Sequence, residues 1–66
     1  MAKRKDPEIA KALDVCDQAW AATEGGDTAC SLLLASRNKL HPAAVYRILA
    51  ASPFFVHDST CRWRRA

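Results

Sequence analysis

Apolar residues recur in the first third of the chain at Ile9, Leu13, Cys16 and Trp20, steps of four, three and four that place them on one helical face. Asp6-Pro7-Glu8 supplies a start, because Asp accepts orphan amides, Pro suits the first helical position and Glu complements the helix dipole. The pattern predicts a helix from about residue 7 to 23, ended by Gly25-Gly26, where glycine takes a left-handed cap without a Cβ penalty. Asp27-Thr28 offers a second N-cap, and Ala29, Leu32 and Leu33 repeat at helical spacing, which predicts a short helix over about 28–36. Arg37-Asn38-Lys39 follows as a tight turn, with Asn38 the residue suited to a left-handed cap.

His41-Pro42 restarts a helix whose apolar stripe is Val45, Ile48 and Leu49, and Ser52-Pro53 ends it, since the residue before proline is pushed out of the helical region. Beyond that break the period changes from helix to strand. Residues 54–57 and 61–64 are β-prone runs flanking Asp58-Ser59-Thr60, a hairpin signal. Two registers fit: a three-residue loop pairs Phe55 with Trp63, and a two-residue loop pairs Val56 with Trp63. In both, Trp63 faces opposite to Arg62 and Arg64, with Trp63 expected inward. The predicted class is α+β, mostly α: a core of three helices with a tight turn between the second and third, followed by a C-terminal two-stranded β-hairpin. Residues 1–6 read as a flexible basic arm and 7–65 as one domain.

At 66 residues the chain buries only about 60% of its unfolded surface, so the core must be small. Half the residues are apolar and 26% are charged, a globular rather than a disordered composition. No run approaches the ~20 apolar residues of a membrane span, and no apolar segment follows the basic start as a secretory signal requires. Three cysteines, an odd number without dense spacing, suit a reducing cytoplasm. In a bacterial or viral source that implies the nucleoid, and in a eukaryotic one the nucleus.

The net charge of +3 hides a strong asymmetry. Lys3, Arg4 and Lys5 open the chain; six acids against Lys11 make residues 6–36 −5; six bases against Asp58 make residues 37–66 +5. One side is therefore expected to face a polyanion and the other to turn away.

This arrangement, with Val45, Ile48 and Leu49 in the third helix, Phe54 to Val56 in the first ribbon strand and Trp63 in the second, resembles a winged helix-turn-helix DNA-binding domain. The resemblance covers residues 7–65 and is one of element order and core pattern. It implies a third helix lying in the major groove and a wing touching backbone or minor groove. The positions it would present are His41, Ala43, Ala44, Tyr46 and Arg47, with Arg47 able to match guanine O6 and N7. Arg62, Arg64 and Arg65 suit phosphate or a narrow minor groove, Arg37 and Lys39 sit in the turn, and Lys3, Arg4 and Lys5 add affinity without specificity. The implied function is binding of double-stranded DNA with modest specificity, as a small transcriptional regulator or DNA-architecture factor, through a homodimer or cooperative binding on DNA.

Plainer roles fit the same residues. The C-terminal arginines can serve to blunt an edge strand, Arg47 can be a solvated helix residue, and Tyr46 can tuck over the wing rather than stack on a base. The rival function is a protein-interaction module docking an acidic partner, and the acidic surface of the first two helices is a second place for protein contact. No enzyme is expected: Cys61, His57 and Asp58 match a thiol nucleophile in composition, but three hairpin neighbours form no cleft. Paired CxxC spacing is absent, so neither a metal nor a cofactor is expected.

Overall fold

A computed structural model describes residues 7–66, in the order α1 (Pro7–Ala22), a 3₁₀ turn (Glu24–Gly26), β1 (Ala29–Cys30), α2 (Ser31–Asn38), α3 (Pro42–Ala51), β2 (Phe55–Ser59) and β3 (Arg62–Arg65). The protein is α+β. Lys3, Arg4, Lys5 and the Asp6 cap lie outside the described residues.

Three strands, not two, form the sheet. Their order is β1-β3-β2 and both pairings are antiparallel. The extra strand comes from residues the helical spacing had assigned to α2: Ala29 pairs with Trp63 and Cys30 with Arg62. A distant strand satisfies their backbone and overrides the Asp27-Thr28 cap, so α2 starts at Ser31 with an extended Cys30 before it. The Ser31 amide donates to the Cys61 carbonyl at 2.7 Å, and the Ser31 hydroxyl donates to the same oxygen at 3.2 Å.

The hairpin takes neither expected register. His57 faces Trp63, Val56 faces Arg64 and Phe55 faces Arg65, with a bulge between His57 and Ser59 and the turn at Thr60-Cys61. The bulge absorbs one extra residue. Asp58 at that point pairs with Arg64 at 3.6 Å, and His57 Nε2 bonds the Thr60 carbonyl at 3.2 Å. Trp63 is 2% exposed and Arg62 and Arg64 face solvent, as the alternation required.

The core is small. Its buried apolar residues are Val15, Ala19, Ala29, Leu34, Ala35, Val45, Leu49, Phe55 and Trp63. The α3 stripe is as the spacing predicts, with Val45 and Leu49 buried and Ile48 packed at the margin. The α1 and α2 stripes are not. Ile9 and Leu13 are 60% and 62% exposed, Trp20, Leu32 and Leu33 also reach solvent, and the small residues Ala19 and Ala35 face inward instead. With so few elements, the helices gain more by close approach through alanine than by enclosing every large side chain. Phe54 is exposed as well, its ring set edge-on to Trp20 at 6.0 Å.

Helix ends are fixed by specific bonds. Thr23, fully buried, directs its hydroxyl at the Ala19 and Trp20 carbonyls (both 3.0 Å), closing α1 before Gly25 and Gly26 turn the chain at positive φ. At the end of α2 the left-handed residue is Lys39 (φ 57°), not Asn38. Asn38 is held helical by its side chain, which exchanges amide bonds with Gln18 (3.0 and 3.1 Å) and donates to the Leu34 carbonyl at 2.7 Å. Cap bonds from Lys39 and Leu40 N–H to Ser36 and Ala35 carbonyls complete the turn.

Candidate nucleic-acid interface

The turn between α2 and α3 is clamped from α1. Besides the Gln18–Asn38 pair, Lys11 Nζ donates to the Asn38 carbonyl at 3.1 Å, a cation at a helix C-terminus where the dipole favours it. Arg37 and Lys39 stand exposed on this braced turn. His41 then caps α3: its Nδ1 accepts the Ala43 amide at 3.0 Å, with Pro42 at the first helical position.

From this cap, α3 presents Ala43, Tyr46, Arg47 and Ala50 to solvent, while Ala44 is half-buried. The Tyr46 ring is tucked against the sheet, edge-on to His57 (5.3 Å, 77°) and to Trp63 (5.1 Å, 73°). His57 and Trp63 are themselves in contact at 4.9 Å. These three rings join helix to hairpin, so Arg47 on α3 and Arg62 and Arg64 on β3 hang from one packed unit. Arg62 donates to the Thr28 hydroxyl at 3.1 Å, and Arg64 makes the solvent-exposed pair with Asp58. Exposed pairs of this kind hold their partners weakly, leaving both guanidinium groups available to an anion.

Arg65 is different, and its expected freedom to bind does not hold. Its Nη2 donates to the Trp20 carbonyl at 2.7 Å, its Nε donates to the Thr23 hydroxyl at 3.0 Å, and its guanidinium carbon lies 3.8 Å from the centre of the Trp20 ring. A planar fork satisfies the last carbonyls of α1 while stacking on the aromatic ring, so Arg65 belongs to the fold. The alternation that sends Arg62 and Arg64 to one face sends Arg65 to the other, and the end of α1 supplies its partners there. No protein-family model, curated protein or solved structure matches the chain.

Two further features adjoin the expected site, the first of them through Ala44 and Arg47. An open groove of about 630 Å³ runs between α1 and α3, lined by Ile9, Leu13, Cys16, Leu40, Ile48 and Ala51 among others. At the start of α2, Cys30 Sγ lies 3.6 Å from Cys61 Sγ at the hairpin turn. The Cys30 thiol is held below its ordinary range, chiefly by the Leu33 amide in the first turn of α2, with smaller pulls from the neighbouring thiol, the Leu32 amide and Arg62. The Cys61 thiol is pushed up by its bond to Cys30, and burial pushes up that of Cys16, aided by Asp17.

Among the described residues no three His, Cys, Asp or Glu side chains converge as metal ligands, and no helix is long and apolar enough to cross a membrane.

Proposed function

We propose that the protein binds double-stranded DNA in the manner of a winged helix-turn-helix domain, with α3 in the major groove and the β2–β3 hairpin as the wing. The observation that carries this reading is the Tyr46–His57–Trp63 cluster, which fixes the hairpin beside α3 and gives Arg47, Arg62 and Arg64 a common rigid support. Arg37 and Lys39 at the entry to α3 add charge where a phosphate would lie. Ala43 and Ala50 flank Arg47 and make the helix surface low, which suits close approach and leaves base reading mainly to Arg47. Affinity therefore rests on backbone charge, and specificity is modest.

The four cations set against phosphate, Arg37, Lys39, Arg62 and Arg64, would each release counterions, at about −0.9 per phosphate in the slope of log affinity against log salt. Between 50 and 200 mM salt, affinity falls roughly 10²-fold on that basis. A gel-shift titration at these two concentrations tests the reading. Replacing Arg47 and Arg64 together by Ala is expected to flatten the slope by about 0.9, the one phosphate contact of Arg64, and to remove the base preference that Arg47 supplies. Undetectable binding to duplex DNA at low salt, or a slope unchanged in the double variant, overturns it. Retention of a defined protein partner with no DNA binding favours the interaction-module reading instead.

A further inference from the structure

We propose that Cys30 and Cys61 form a redox-active dithiol, a modification site at which an intramolecular disulfide ties the start of α2 to the tip of the hairpin. The two sulfurs are 3.6 Å apart although 31 residues separate them in the chain. Their backbones are already joined, because Cys30 pairs with Arg62 and the Ser31 amide and hydroxyl both bond the Cys61 carbonyl. A disulfide needs sulfurs at about 2.05 Å. Closing the remaining gap of about 1.5 Å requires side-chain rotation rather than movement of a strand. Both residues are half-buried, so small oxidants reach them. The proposal stands independently of the DNA-binding reading.

The environment assigns the order of events. The amides opening α2 and the Arg62 guanidinium favour the thiolate at Cys30, while Cys61 keeps its proton. With hydrogen peroxide as oxidant, the Cys30 thiolate attacks one peroxide oxygen, the O–O bond breaks and hydroxide leaves, giving a sulfenic acid. The Cys61 sulfur then attacks the Cys30 sulfur: the S–S bond forms, the S–O bond breaks, and the departing hydroxide takes the Cys61 proton as water. Two thiols lose two electrons, and one peroxide becomes two waters.

Cys16 is an internal control, placed on α1 against Leu40 and Ile48 with its thiol disfavoured as a nucleophile. The test is to treat the reduced full chain with equimolar hydrogen peroxide, block remaining thiols with N-ethylmaleimide, and read intact mass and the peptide map. The expected product carries one maleimide, on Cys16, and one Cys30–Cys61 crosslinked peptide, whereas the untreated chain carries three maleimides. Oxidation is also expected to shift the unfolding equilibrium toward the folded state by roughly several hundred-fold, as closing a loop of this length predicts. Cys30→Ser is expected to abolish the crosslink. Cys61→Ser should leave a trappable sulfenic acid at Cys30, reactive with dimedone. Three maleimides after peroxide, a disulfide involving Cys16, or only intermolecular crosslinks overturns the proposal.

Discussion

Removing the Arg65 guanidinium separates a structural arginine from the two exposed arginines on the same strand, Arg62 and Arg64. Arg65→Ala deletes two hydrogen bonds from a charged donor, to the Trp20 carbonyl at 2.7 Å and the Thr23 hydroxyl at 3.0 Å, and the stack on Trp20 at 3.8 Å. Bonds to charged groups contribute about 1.5–3 kcal/mol each, and an exposed cation–π contact about 0.5–1 kcal/mol. Arg65 is half-exposed, so water replaces part of what is lost, and the net expectation is about 2–3 kcal/mol. For a chain of this size that is a large fraction of a total stability of about 3–10 kcal/mol, and lowers Tm by roughly 10–20 °C. Arg64→Ala, which removes an exposed pair at 3.6 Å, is expected to change stability by less than about 0.5 kcal/mol. Arg65→Lys should recover less than half the loss, lacking the planar fork. Urea unfolding followed by far-ultraviolet circular dichroism measures all three, and avoids tryptophan fluorescence, which loss of the Trp20 stack perturbs directly. Equal destabilisation by Arg65→Ala and Arg64→Ala refutes the reasoning.

Lys39 holds a left-handed φ of 57°, so Lys39→Gly is expected to stabilise the fold by about 0.5–1 kcal/mol in urea unfolding, with weaker DNA retention from the lost charge. Trp63 Nε1 is buried without an acceptor among the described residues, so Trp63→Phe discards an unsatisfied donor along with ring volume and is expected to fall within about 1 kcal/mol of the parent. Trp63→Ala should cost about 3–5 kcal/mol and unfold much of the population, as circular dichroism at 25 °C would reveal. Iodoacetamide is expected to label Cys30 before Cys16 near pH 8. A lowered thiol carries more thiolate at that pH and a raised one carries less, and the gap narrows as pH rises and Cys16 ionises in turn.

The legible parts of the fold were those written in local chemistry. Pro42, Pro53 and the Gly25-Gly26 pair act within a few residues of themselves, and the breaks they predicted stand where expected. The α3 stripe was legible because Val45, Ile48 and Leu49 are large and have no small competitors facing the core. On α1 the eye follows Ile9, Leu13 and Trp20, yet Val15 and Ala19 are inside, since what a helix buries depends on which neighbours it meets. β1 was invisible for the same reason: Ala29 and Cys30 carry no strand preference and become extended because Trp63 and Arg62 offer a ladder. The hairpin register failed at Asp58, where a bulge shifts the count by one. Among the candidate site residues, the exposure of Arg47, Arg62 and Arg64 followed from periodicity, whereas the engagement of Arg65 depended on where α1 ends.

The pairing of β1 with β3 also sets an order of assembly. Contacts between α2 and α3 form across a three-residue link, and the β2–β3 hairpin closes on itself, so both are rapid local events. Joining Ala29 to Trp63 encloses both α2 and α3 within one loop and must follow them. The transition state for folding is therefore expected to contain the α2–α3 pair with the central strand not yet zipped to β1. Substitutions at Val45 or Leu49 should slow refolding, and those at Ala29 should chiefly speed unfolding.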